Sequence, residues 1–179
     1  MEITPASVED ETTFRNLFQF YVYEFSRFMG WTTTYAGRFI ESDLDGCWDR
    51  EGTRNPFLIR HNGDLAGFAI VDKLAQARYL NHSAVNELAE FFIMAAFQRQ
   101  GIGRLAATHL FDLFDGKWHV FCADQNQRAG IFWQRVVNDY TQGQYQTAQI
   151  ADHDGTLYIL ESNHSTAVSR SSALKNPRS

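Results

Sequence analysis

Residues 87–123 carry the pattern that most restricts the fold of this chain. The run 87–94 (ELAEFFIM) is, after its first residue Glu87, apolar on both faces except at Glu90, which is typical of a strand covered on both sides at the centre of a sheet. A helical pattern follows from about Gly101 to Phe114, and 117–123 (KWHVFCA) predicts the next strand. Strand, helix and strand at this spacing form a βαβ unit, so the two strands are expected to be parallel.

The residues before this unit predict a strand and a long amphipathic helix. Ile3-Thr4 indicates a short strand, and Ser7 with Asp10 three residues later is typical of a helix N-terminus. We expect a second short helix at 35–40. The apolar residues of the long helix recur with the spacing of one helical face: Phe14, Leu17, Phe18, Tyr21, Val22, Phe25 and Phe28.

Two hairpins and a last helix complete the predicted α/β fold, in which the sheet is mixed. The polar stretch 72–86 is expected to be a connection. The last helix carries Ala129, Phe132, Trp133, Val136 and Val137 on one face. The hairpin strands are predicted at 56–60 and 65–71 around the Asn62-Gly63 turn signal, and at 144–150 and 156–161 around 152–155.

Composition supports one folded domain. The chain has 179 residues, of which 44% are hydrophobic and 15% aromatic, far too many for a disordered chain. We expect the domain to span 1–162 and the Ser- and Asn-rich residues 163–179 to be disordered. The net charge of −5 argues against nucleic acid as a partner, because phosphate neutralisation needs clustered Lys and Arg.

Cysteine and hydropathy patterns argue against metal, disulfide and membrane classes. Cys47 and Cys122 form no metal-binding or disulfide pattern, and no two His residues lie at metal-ligand spacing, so we expect no metal. The N-terminus has no signal-peptide pattern. The longest apolar run, 91–97, is far shorter than the roughly 20 residues of a membrane span. We therefore expect a cytoplasmic protein with no membrane partner.

The glycine-containing segment 98–104 (QRQGIGR) lies between the central strand and the helix. Glycines let the backbone approach a ligand, and the first helical turn offers N–H groups and a positive dipole end to a pyrophosphate. One alternative is that the two glycines only form a turn. Another is a dinucleotide fingerprint with Asp124 on the ribose. Residues 95–100 argue against the fingerprint, because they separate the strand from its first glycine.

Two segments resemble the GNAT superfamily of N-acetyltransferases. Residues 98–103 look like its Q/R-x-x-G-x-G/A acyl-CoA loop, and 126–133 (NQRAGIFW) look like its later N-x-x-A-x-x-F-Y element. The order of elements is similar over residues 1–162. The segments NPFLI, LAGFA and EFFI are similar to those of a bacterial subgroup of predicted acetyltransferases.

This resemblance implies a GNAT-like acyl-CoA N-acyltransferase fold, with the central parallel strands splayed around acetyl-CoA and helices on both faces. The strand end would bind the pantetheine arm, the loop backbone would bind the pyrophosphate, and the arginines would add positive charge. Asn126 would lie near the pantetheine or the acetyl group, or would only cap its helix. The implied acetyl-CoA residues are Phe92, Ile93, Met94, Arg99, Gln100, Gly101, Ile102, Gly103, Arg104, Asn126 and Trp133.

Glu90 is the predicted general base. It is the one charged residue inside an apolar strand, so desolvation should raise the pKa of its carboxyl group. The alternative is a structural carboxylate paired with an Arg or a Tyr. The resemblance also implies that a backbone N–H of Ile93 or Met94 binds the oxyanion.

The group that protonates the leaving thiolate is less obvious. Trp133 stands where many GNAT members carry Tyr, and an indole N–H cannot supply a proton near neutral pH. Tyr140 and Tyr21 are the alternative acids. A third possibility is that the thiolate leaves without help, because the coenzyme A thiol is itself fairly acidic.

The expected acceptor is a small cationic primary amine. Tyr21, Glu24 and Tyr35 are the predicted acceptor residues, and the acidic stretch 41–51 would attract a cation if it borders the same groove. A second copy of the chain, in a homodimer, is one further partner to consider. The alternative function is a non-catalytic sensor that binds acyl-CoA on the same fold.

Overall fold

Seven strands form one mixed sheet in the computed structural model, which describes residues 1–49 and 52–162. Their order is β1-β2-β3-β4-β5-β7-β6. This mixed α/β architecture confirms the predicted fold class. The predicted tail, 163–179, and Glu51 of the acidic stretch lie outside the described residues. The strands are β1 (Glu2–Pro5), β2 (Arg54–His61), β3 (Asp64–Gln76), β4 (Ser83–Ile93), β5 (Gly116–Ala123), β6 (Gln146–Ile150) and β7 (Gly155–Ser162).

The βαβ unit has the predicted parallel arrangement. β4 pairs with β5 in parallel from Val85 opposite Lys117 to Glu87 opposite His119. The predicted hairpins are antiparallel pairs, β2 with β3 and β6 with β7. β4 is fourth in the order of seven strands, as its two apolar faces predict. The helices are α1 (Glu11–Met29), α2 (Ile102–Leu113) and α3 (Gln127–Thr141).

The start of α1 follows the predicted capping pattern with a small shift. Ser7 begins a short 3-10 turn at Val8–Asp10, and the Ser7 N–H donates to the Asp10 carboxylate at 2.9 Å. α1 then begins at Glu11 and ends at Gly30, whose left-handed φ of 67° directs the chain away from the helix.

Two predictions outside the main elements were wrong. Residues 35–40 do not form a helix, because 31–38 are exposed and a short helix without packing is unstable. A turn forms instead, with the Thr34 hydroxyl donating to the Arg38 carbonyl at 2.9 Å. The polar stretch 72–86 is not only a connection, since β3 continues to Gln76 and β4 already begins at Ser83.

The chain divides into two compact units. One consists of Met1–Lys73 and Leu88–Gly103, and the other consists of Leu74–Glu87 and the residues from Arg104 onward. The core of the first unit is built on the α1 face and the inner faces of β2 to β4: its fully buried aromatic residues are Phe14, Phe18 and Phe68. In the second unit, the buried rings of Phe111 and Trp118 meet edge to face at 5.0 Å.

One glycine of the first unit has no room for a side chain. Gly67 of β3 lies so close to β4 that a Cβ atom there would come within 2.0 Å of the Phe92 carbonyl oxygen. Gly130 of α3, in contrast, has nothing within 4 Å of such an atom.

We therefore expect Gly67→Ala to destabilise the protein by about 1–3 kcal/mol, because β4 must shift to admit the methyl group. The matched control Gly130→Ala should stabilise it by up to about 1 kcal/mol, because alanine favours a helix. Urea denaturation of the two variants measures the difference. Equal stability of both variants would contradict the close contact between β3 and β4.

Candidate active site

Glu90 and Tyr21 meet in the first unit. The Tyr21 hydroxyl of α1 donates to Glu90 Oε2 at 2.5 Å, and both residues are partly buried. The Tyr21 ring lies among other aromatic rings, with centroids 5.6 Å from Phe68 and 5.9 Å from Phe92. This packing holds the hydroxyl toward β4. Pairing of Glu90 with a Tyr was one of the two alternatives for this residue.

Burial gives the Glu90 carboxyl group an unusual proton affinity. Loss of hydration is the largest effect, and it raises the pKa of Glu90 to about 7, although the hydrogen bond from Tyr21 acts in the opposite direction. The carboxylates of Asp43 and Asp72 raise this pKa further, whereas Arg54 lowers it. A carboxyl group with a pKa near 7 can accept or release a proton at neutral pH.

Three charged residues influence Glu90: Asp43 of the predicted acidic stretch, and Arg54 and Asp72, which the sequence did not indicate. Arg54 of β2 and Asp72 of β3 form an ion pair at 3.3 Å, and Asp72 is buried. Asp43 lies in a 3-10 turn at Ser42–Leu44. Asp72 directly follows the strand predicted at 65–71. Extending that predicted strand by one residue would have placed Asp72 in the sheet.

The end of β4 is held by hydrogen bonds within the same unit. The Met94 N–H donates to the Ala66 carbonyl at 2.8 Å, and the Gln98 side-chain amide donates to the Ile93 carbonyl at 2.8 Å. Of the two backbone amides predicted to bind the oxyanion, the amide of Met94 is therefore already engaged with β3.

The glycine loop, residues 98–104, turns sharply into α2, and its residues 98–101 are exposed. Arg99 and Gly101 both have left-handed backbones, with φ of 62° and 81°, and both are exposed. Gln100 fixes the turn by donating from its side chain to the Ala96 carbonyl at 2.8 Å. The first N–H groups of a helix lack partners within it, so the start of α2 at Ile102 offers donors and a positive dipole end to an anion.

The other predicted cofactor and acid residues belong to the second unit. Asn126 accepts a hydrogen bond from the Ala129 N–H at 3.2 Å, which confirms the helix cap. Trp133 is buried against Phe132, with ring centroids 4.8 Å apart. The buried Tyr140 hydroxyl donates to Asp112 Oδ1 at 2.8 Å. Arg104 is an exposed residue in the first turn of α2.

The second unit also contains a histidine pair. His82 Nδ1 and His119 Nε2 are 3.0 Å apart. His119 is completely buried, and burial, followed by the neighbouring His82, lowers its pKa to about 4. His119 is therefore neutral at neutral pH.

Of the predicted acceptor residues, Glu24 lies in the second half of α1 and Tyr35 lies after the helix. Glu24 is partly buried and pairs with Arg27 along the helix. Tyr35 is fully exposed in the segment after α1.

Residues 1–49 and 52–162 contain neither a candidate metal site nor a candidate membrane-spanning helix. In this part of the chain, no three His, Cys, Asp or Glu side chains are grouped so that they could hold a metal ion. None of its helices is both long enough and apolar enough to cross a membrane.

Comparison with known proteins identifies the family. The acetyltransferase (GNAT) family model matches residues 15–138, so the chain belongs to the GNAT acetyltransferase family. No protein of curated function matches it in sequence.

Solved structures of several acetyltransferases share the fold. An acetyltransferase from Thermus thermophilus superposes with a TM-score of 0.63 at 17% identity, covering 89% of this chain and 96% of that chain. A mutant spermidine N-acetyltransferase from Vibrio cholerae gives 0.56 at 14% identity, with 96% and 99% covered. An aminoglycoside acetyltransferase in complex with coenzyme A gives 0.62 at 14% identity, with 94% and 98% covered.

The raised pKa of Glu90 predicts a specific pH dependence of stability. An unfolded chain loses this proton near pH 4.5 and the folded chain near pH 7, so wild-type stability falls as the pH rises through this window. Glu90→Gln removes the effect. Its free energy of unfolding relative to wild type should therefore rise by about 2–3 kcal/mol between pH 5 and pH 8.

Urea denaturation across this pH range measures the difference. The control is Glu24→Gln, which removes a carboxyl group from a less buried position on α1. If the stability curves of Glu90→Gln and wild type run parallel from pH 5 to pH 8, the raised pKa is wrong.

Proposed function

We propose that this protein transfers the acetyl group of acetyl-CoA to a primary amine of a small cationic metabolite. The observation that carries the proposal is the partly buried Glu90, bonded to Tyr21 and with a pKa of about 7. Glu90 is on the same strand that leads into the glycine loop. The base and the anion-binding backbone are thus close in sequence and belong to the same unit.

Glu90 takes the proton that the acceptor must lose. A lysine-like amine has a pKa of about 10 and is mostly protonated at neutral pH. Transfer of one proton to the Glu90 carboxylate, directly or through a water molecule, leaves a neutral amine. Its nitrogen then attacks the thioester carbonyl and a C–N bond forms. The nitrogen releases its second proton to solvent, and the C–S bond breaks as coenzyme A leaves as the thiolate.

The glycine loop supplies the site for the pyrophosphate of acetyl-CoA. The exposed turn at Gly101 leaves the start of α2 open to an anion, and Arg99 and Arg104 add positive charge. Backbone N–H groups of Gln100, Ile102 and Gly103 complete the proposed cradle. A Cβ atom at Gly101 would have no other atom within 4 Å. The space beside this turn is therefore open to a phosphate group.

The end of β4 binds the pantetheine arm of the cofactor in this proposal. Phe92, Ile93 and Met94 line that arm, as the resemblance to the GNAT family implies. Because the Met94 N–H donates to Ala66, Ile93 is the amide that we assign to the oxyanion.

Tyr21 is a better candidate acid than Tyr140. The Tyr140 hydroxyl is committed to Asp112, whereas the Tyr21 hydroxyl is bonded to the base itself. The proton taken by Glu90 can therefore return through Tyr21 to the leaving sulfur. This route requires no proton from Trp133.

The negative net charge of the chain and the names of two structural neighbours support a cationic acceptor. The chain carries a net charge of −5, and Asp43, Asp72 and Glu90 interact electrostatically in the first unit. Two of the structural neighbours are named for amine-containing substrates, spermidine and aminoglycosides. A protein with this chemistry would act in the cytoplasm, where acetyl-CoA is available.

The second candidate is an acyl-CoA sensor without catalysis, which the buried Trp133 at the position of the usual Tyr favours. Release of free thiol from acetyl-CoA across a panel of amines separates the two functions. Saturable release supports the enzyme, and tight acetyl-CoA binding without release from any amine supports the sensor.

Cofactor binding is tested by thermal shift. Acetyl-CoA and coenzyme A should raise the melting temperature, and NAD should leave it unchanged. Arg104→Ala should weaken acetyl-CoA binding by about 3- to 10-fold, because one charge–phosphate interaction is lost. Arg135→Ala removes an exposed arginine of α3 as the control. Stabilisation by NAD alone would favour the dinucleotide alternative.

The pH profile tests the base. Glu90→Gln should lower kcat/KM by about 100-fold or more near pH 7, with less effect at higher pH where free amine is abundant. Tyr21→Phe removes a hydrogen bond that lowers the pKa of Glu90, so the acidic limb of its profile should move to higher pH. Tyr23→Phe, on the exposed face of α1, is the control. An unchanged profile for Glu90→Gln would remove Glu90 from the mechanism.

A further inference from the structure

A row of aromatic rings leads from Glu90 to the protein surface. We call Tyr21, Phe25, Phe28 and Trp31 the aromatic row. Tyr21, bonded to Glu90, packs on Phe25 with ring centroids 4.6 Å apart. Phe25 stacks with Trp31 at 6.5 Å and 18° between planes, and it meets Phe28 edge to face at 6.3 Å.

The outer end of the aromatic row is open to solvent. Trp31 is 44% exposed and Phe28 36% exposed, and Phe25 beneath them is only partly buried. The chain from Trp31 to Arg38 is exposed throughout, so these rings are available to a ligand. Exposed apolar surface grouped in this way commonly marks a binding site.

The two ends of the aromatic row differ in charge. At the inner end, Glu90 interacts with the carboxylates of Asp43 and Asp72 and with the Arg54 guanidinium. At the outer end, Arg27 lies 5.7 Å from the Phe28 ring centroid and is paired with Glu24. Negative charge is thus concentrated where the amine would be deprotonated, and aromatic surface follows it.

We infer that the acceptor is an arylalkylamine or another amine with a bulky apolar substituent. Its nitrogen lies at Glu90, and its apolar group packs on Phe25 and Trp31. This inference rests on the proposed function, because it uses the position of the base to place the nitrogen. Trp31 becomes a specificity-determining residue that binds the substrate without taking part in the chemistry.

The residues around the aromatic row favour an aryl-substituted amine over a linear polyamine. A nitrogen at Glu90 directs the remainder of the acceptor away from β4, along a path that Tyr21 and Phe25 border. A second ammonium group placed there would come near the Arg27 guanidinium, which lies 5.7 Å from the Phe28 ring centroid and already occupies the Glu24 carboxylate. An aryl group would meet Trp31, with which it can stack.

The experiment compares three amines with acetyl-CoA: 2-phenylethylamine, propylamine and spermidine. Wild type should use 2-phenylethylamine with a kcat/KM at least about tenfold above that for the other two. Trp31→Ala should lower this value about tenfold, mainly through KM, and leave propylamine unchanged. Trp31→Phe should restore part of the loss, and Tyr23→Ala on the other face of α1 should change neither amine.

The outcomes separate this inference from the proposed function. Faster use of spermidine, or equal losses of both amines in Trp31→Ala, overturns the aryl acceptor while acetyl transfer stands. Absence of thiol release with every amine overturns acetyl transfer and the inference with it. Sedimentation that shows a wild-type dimer lost in Trp31→Ala assigns the aromatic row to a second copy of the chain, which also overturns the inference.

Discussion

The hydrogen bond between Tyr21 and Glu90 is the contact on which the proposed chemistry of the first unit depends. It joins α1 to β4, and it places a carboxyl group among aromatic rings rather than in water. Burial raises the proton affinity of Glu90, and Tyr21 restrains that increase. The opposition of these two effects leaves the carboxyl group able to exchange protons at neutral pH.

β4 serves two purposes that require different surroundings. Near Glu90 it lies against the aromatic face of α1, whereas at Ile93 and Met94 its backbone is fixed by Gln98 and Ala66. The close approach of Gly67 to Phe92 lets β3 support the strand between these points. A rigid strand end is what an ordered glycine loop needs, since the loop begins only a few residues later.

The sequence predicted those features that depend on local pattern. The parallel β4–β5 pair, the hairpins and the three long helices follow from hydrophobic periodicity and turn residues. The environment of Glu90 was predictable because a carboxylate inside an apolar stretch of strand must lose hydration. Asp43, Asp72 and Arg54 were not, because their approach to Glu90 depends on distant segments. The aromatic row was missed for a similar reason: helical spacing shows Phe25 and Phe28 on one face but not that Trp31 stacks on it.

The division into units has a consequence for biosynthesis. Each unit is assembled from two separated stretches of sequence, and residues 88–103 complete the first. On a ribosome, the first unit therefore lacks the strand bearing Glu90 until residues 88–103 have been made. Neither half of the chain expressed alone contains a whole unit, so a split protein would need both fragments together to fold.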